Sequence, residues 1–177
     1  MLELLLWPLV AGLVLTGIHA YFGLHVLARG VVFVDLSLAQ VAALGLAVAI
    51  LAGHPVQSEA SYWYTFAFAA AGAVLFALAR PYEAALPQEA VIGIVYAVSA
   101  ALGVLVLDRA PQGAEHIKQL LIGSILTVTP QEVGELALLY GLIGAVHLAC
   151  RRPLIEVSFN PLLAAARRRR VFLWDVV

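Results

Sequence analysis

From Leu4 to Ala28 the chain runs without a single charged residue, and four more long apolar stretches follow. They cover about Val31–Ala52, Ser61–Ala79, Ala90–Leu107 and Glu132–Cys150. A lipid-exposed backbone must satisfy its own amides, which an α-helix of roughly 20 apolar residues does within one segment. The breaks between the stretches carry charges or turn formers: Ala28-Arg29-Gly30, Gly53-His54-Pro55, Arg80-Pro81-Tyr82-Glu83 and Asp108-Arg109-Ala110-Pro111. Five membrane-spanning helices are therefore expected. Composition agrees. Hydrophobic residues are 63% and charged residues 12% of the chain, about half the charge of a usual soluble domain. So few charges cannot cover a water-exposed surface, and the bilayer must serve as solvent for most of the outside.

The first stretch is too long for a cleavable signal sequence and has Glu3 in place of a basic leader, so it is read as a first span. Cys150 is the one cysteine, which excludes an intrachain disulfide. Arg29, Arg80, Arg151, Arg152 and Arg167 to Arg170 fall on one side of a five-span arrangement. Only Arg109 and Lys118 of the ten basic residues fall on the other. By the positive-inside rule the first set is cytoplasmic and the N-terminus outside. Tyr62, Trp63 and Tyr64 then sit at the outer interface, where aromatic belts occur.

Local signals fill in the ends. Thr129-Pro130-Gln131-Glu132 supplies a capping Thr, a Pro at the first helical position and a Glu at the third. Asn160-Pro161 is a similar helix start, followed by Leu162 to Ala166 and then arginines suited to a helix C-terminus. Gln112–Val128 has helical apolar spacing and is expected to lie at the outer interface. Ala69, Ala73 and Ala77, and also Gly141 and Ala145, form small-residue faces on which helices can approach closely. Val171–Val177 reads as the opening of a sixth span.

Polar groups at membrane depth are few. Asp35 lies about 9 Å along a helix from Arg29, with Gln40 five residues beyond and Ser37 between them. Two readings of Asp35 stay open: a polar lining for an ion or substrate path, and a first-turn carboxylate favoured by the helix dipole and paired with Arg29. The five histidines do not make a metal site by spacing. His19 and His25 are about 240° apart on one helix, His147 lies near Arg151, and His54 and His116 fall on the outer side. The metal ligands, if any, are unknown at this level. Neither a phosphate-binding glycine loop nor a nucleophile elbow occurs, which argues against an enzyme.

Four stretches carry a resemblance. RGVVFVDLSLAQVAALG over Arg29–Gly45 resembles the second-helix motif of permeases from metal-type ABC importers, which take up zinc, manganese or iron. EAVIGIVY over Glu89–Tyr96 with AALG over Ala100–Gly103, and LLIGSILTVTPQEV over Leu120–Val133, are similar to further signatures of that family. VSFNP over Val157–Pro161 and the residues after it resemble the cytoplasmic segment that contacts the ATPase. The family's second helix carries an Asp and, four residues later, a His that line the metal path. Aligned on Phe33 and Gly45, this chain has Leu36 and Gln40 there, with Asp35 one position early.

The resemblance implies an all-α polytopic bundle of five spans and the start of a sixth, forming one permease domain over residues 1–177. Residues 153–170 would be its cytoplasmic coupling segment. It implies a multi-pass protein of the bacterial inner membrane, a permease homodimer, a cytoplasmic ATPase subunit and an extracytoplasmic solute-binding protein, with no nucleic acid. No cofactor is expected on this chain, ATP being used by the partner subunit. Asp35, Gln40 and Ser37 become candidates for the translocation pathway, and Phe159, Asn160, Pro161 and Leu162 for the ATPase contact. Family permeases continue for several more helices, so the chain is expected to be an N-terminal portion. A proton- or cation-coupled carrier using Asp35, and a non-transporting membrane scaffold, remain as other readings.

Overall fold

The computed structural model describes residues 2–82, 85–110 and 128–160, together with Leu162, Ala164 and Trp174. The helices are α1 (Leu2–Arg29), α2 (Val34–Leu51), α3 (Glu59–Ala79), α4 (Gln88–Asp108), α5 (Pro130–Ala149) and α6 (Arg151–Phe159), with a 3-10 turn at Arg80–Tyr82. Five of them, α1 to α5, are long and apolar enough to cross a membrane. Each expected span is thus a helix, with ends within about three residues of those read from the sequence, a usual uncertainty for helix boundaries.

The ends form where local chemistry provides for them. Gly30 (φ +68°) follows α1 and Gly53 (φ +87°) follows α2, both in the left-handed region that glycine adopts without steric cost. After α2 the amide of Gly53 donates to the Ile50 carbonyl at 2.9 Å and that of His54 to Ala49 at 3.0 Å. This is the Schellman pattern, which satisfies carbonyls left over at a helix end. Thr129 and Glu132 form the expected capping box at the start of α5. Ser58 caps α3 by accepting the Ser61 amide at 3.2 Å.

The helices divide into two compact units, one of α2, α3 and α4, the other of α1, α5 and α6. In the first unit α2 packs along both α3 and α4. Gly45 makes the α2–α3 approach possible. A Cβ there would lie 2.8 Å from both the Phe68 Cβ and the Tyr64 carbonyl oxygen. Gly72 of α3 answers it, facing Leu38 and Val41 at 3.0 and 3.3 Å from where its Cβ would be. Between α2 and α4, the fully buried Ser37 donates its hydroxyl to the carbonyl of the equally buried Ile92 at 3.1 Å. Val31, Phe76 and Ile92 cluster together, as do Ala47, Ile50, Leu107 and Ala110.

The small-residue faces differ from expectation. On α3 only Ala77 of the alanine triplet is buried, and the close contact runs instead through Phe68 and Gly72. On α5 Gly141 and Ala145 are exposed, and it is Gly144 whose Cβ position would meet α1, 3.9 Å from Ile18. Alanine is so frequent here that a four-residue spacing arises without marking an interface.

A second difference is α6. A helix over Arg151–Phe159 was not expected, yet Pro153 stands at its third position, where a missing N–H costs no intrahelical bond. Leu154, Val157 and Ser158 recur at helical spacing and are buried, so the segment is held by one face. It ends at Asn160 (φ −139°, ψ 64°), whose carbonyl then accepts the Ala164 amide at 3.0 Å. The helix expected to follow Asn160 falls mostly on residues outside those described. The helix expected in Gln112–Val128 (all but Val128), Pro161, Arg167 to Arg170 and, apart from Trp174, the apolar end lie outside the described residues.

Candidate functional site

In the α1–α5–α6 unit the polar residues of three helices gather at one end. Tyr21, His25 and Arg29 are spaced by four, so they share one face of α1. Ser158 comes from the buried face of α6, only 4% exposed. Its hydroxyl oxygen accepts the Arg29 Nε–H at 3.0 Å and shares a hydrogen bond with His25 Nδ1 at 2.9 Å, whose direction follows the imidazole's protonation. The Arg29 Nη2 donates further to the Trp174 carbonyl at 3.3 Å. One hydroxyl therefore ties the last turn of α1 to α6.

Aromatic rings close the cluster. His147 of α5 stands edge-on to Tyr21 (5.6 Å) and Phe22 (4.9 Å), and Tyr21 is 4.9 Å from His25. The His25 ring also meets that of Phe159, at 5.9 Å. His25 and His147 looked unrelated along the chain and are both packed against Tyr21. The sequence signal that pointed here was the Ser158 position inside VSFNP; nothing in the chain named its partners.

The residues suggested for a translocation path all lie on α2, in the other unit. Asp35 is exposed in the first turn, and its Oδ1 accepts the Leu36 amide at 2.7 Å. Ser37, on the opposite side by about 160°, is committed to α4. Gln40 is half-buried. Helix α2 therefore presents Asp35 and Ser37 in different directions and does not bring them to one point. Nearby, Glu89 of α4 accepts the Phe33 amide at 3.4 Å through Oε1.

Of the other histidines, His19 reaches back to the Leu15 carbonyl at 2.8 Å, and His54 packs on Tyr64. No group of three or more His, Cys, Asp or Glu able to hold a metal occurs among the described residues. At the proposed contact segment, Phe159 is 51% exposed and Leu162 87% exposed, while Ala164 is fully buried. Asn160 is exposed beside them.

Helices of this length and apolarity, without strands among the described residues, define a polytopic helical membrane protein. The chain belongs to the ABC 3 transport family, whose sequence profile matches residues 1–174. Over 106 residues it is 29% identical to an uncharacterized membrane protein of Synechocystis sp., covering 59% of this chain and 37% of that protein. The alignment thus spans well under half of that relative. No solved structure matches.

Proposed function

We propose that the chain is the membrane-spanning part of an ATP-driven importer for divalent metal cations, working as a permease dimer with a cytoplasmic ATPase and an extracytoplasmic solute-binding protein. All 177 residues would act as one permease domain in the bacterial inner membrane, N-terminus outside. The observation that carries this reading is the family match together with the build of α6 and the turn after it. Leu154, Val157 and Ser158 anchor that segment, while the apolar side chains of Phe159 and Leu162 stand out into solvent. Exposing a side chain as large as leucine beside a buried anchor is costly in water and useful when a partner covers it. In this scheme the ATPase contacts Phe159, Asn160, Pro161 and Leu162, and ATP-driven closure moves α6. The Ser158 hydroxyl hands that motion to α1 through Arg29 and His25.

The cargo is the finer part of the proposal. Asp35 supplies a hard carboxylate in the first turn of α2, at its cytoplasmic end. Gln40 supplies a neutral amide somewhat more than one turn deeper and about 140° around the helix. As separate oxygen donors along the path, they favour oxygen-preferring divalent cations over soft ones. Ser37 serves them indirectly, by fixing α2 against α4. Two measurements test the scheme. Co-purification with an ATPase subunit should be lost in Phe159→Glu with Leu162→Glu while membrane insertion and helix content persist; retained association removes the docking assignment. Metal uptake by cells carrying the full-length gene should fall in Asp35→Ala and in Gln40→Ala, and normal uptake in both removes the pathway assignment.

A further inference from the structure

Between α1 and α5 runs an open groove of about 630 Å³, a size typical of small-molecule sites. It is lined from Ala137 to Leu148 on the α5 side, a run of about 16 Å at helical rise. That is close to the hydrocarbon depth of one leaflet, half of roughly 30 Å. The space comes from missing side chains. Gly17 and Gly141 both line it, and a Cβ added at either would meet nothing within 4 Å. Its walls are almost wholly apolar, so water is a poor occupant. One end is different. There Arg151, the first residue of α6 and just past the span's last residue Ala149, lines the groove beside His147. The His147 Nδ1 is buried and has no hydrogen-bond partner among the described residues.

An apolar slot one leaflet deep, ending at a guanidinium on the membrane boundary, matches one molecule in shape and charge. We infer that the groove seats an acyl chain of an anionic phospholipid, with the phosphate met by Arg151. Basic residues at the ends of grooves between membrane helices recognise anionic headgroups in this way, and guanidinium can bind phosphate bidentately. The assignment is independent of what the protein transports.

The test is native mass spectrometry of the purified chain in mild detergent, supplied with phosphatidylglycerol or phosphatidylcholine. Phosphatidylglycerol should be retained about fivefold better, the preference expected of one basic residue at an anionic surface. Arg151→Gln should bring the two lipids to parity. Gly141→Leu should strip both by filling the slot, with helix content unchanged by circular dichroism; Gly17→Leu, on the facing wall, repeats that test should the first variant lose helix. Equal retention by the parent chain overturns the assignment, as does selectivity that survives Arg151→Gln or retention that survives both leucine variants. A disulfide-linked dimer formed through Gly141→Cys in a Cys150→Ser background would give the groove to a second copy and equally overturn it.

Discussion

Arg29 donates its Nε–H to the Ser158 hydroxyl at 3.0 Å, joining the last turn of α1 to a helix 129 residues further along the chain. His25, one turn earlier, reaches the same oxygen at 2.9 Å. The α1 end is thereby fixed by two contacts on one atom, and the segment proposed to meet the ATPase begins at the very next residue, Phe159.

Removing that hydroxyl should loosen the junction. Ser158→Ala leaves a partly buried guanidinium without this acceptor, a loss of about 1–3 kcal/mol for a hydrogen bond to a charged group. Unfolding in a graded detergent mixture should show it, and Ser158→Thr, which keeps the oxygen, should recover most of it. A Thr variant as weak as the Ala variant would mean that volume, not the hydrogen bond, matters at this position. If the proposed coupling to an ATPase holds, Ser158→Ala should also lower the cargo moved per ATP hydrolysed more than it lowers hydrolysis.

Gly45 should tolerate nothing larger. An alanine methyl would sit 2.8 Å from the Phe68 Cβ and the Tyr64 backbone oxygen, so α2 and α3 must separate at about 1–3 kcal/mol, the range for overpacking. Gly141→Ala is the control, since nothing lies within 4 Å of the added carbon. It should be neutral or gain up to about 1 kcal/mol from helix propensity. The same unfolding assay compares the two, and equal losses would contradict the packing described.

Ser37 separates packing from transport. Hydrogen bonds between membrane helices average about 0.6 kcal/mol, so Ser37→Ala should cost a modest amount of stability and leave cation uptake near normal. Uptake abolished at unchanged stability would instead put the hydroxyl in the pathway.

The Thr129–Glu132 capping box predicts a local effect. Thr129→Ala removes the oxygen that accepts the Glu132 amide at 3.3 Å, and amide exchange in the first turn of α5 should speed up severalfold. Exchange further along, at Leu138 to Leu142, should not change. A uniform acceleration through α5 would show that the cap holds the whole helix rather than its first turn.

What the chain determined unaided was everything local. Five spans, the Thr129 box, and the glycine ends after Arg29 and Ala52 were all legible, because in lipid each backbone amide must be satisfied within its own segment. Pro153 concealed α6, since a proline reads as a break unless it falls in a first turn. Facing was illegible. An apolar side chain is as comfortable against lipid as against a neighbouring helix, so hydropathy has no inside and outside to report. Only tertiary packing selected Gly45 and Gly72 over the alanine triplet, and Gly144 over Gly141. Packing also turned Ser37 toward Ile92 and left Asp35 exposed. It brought Ser158 to Arg29 and His25, a meeting that depends on how three helices fold back together and that no spacing along one of them could encode.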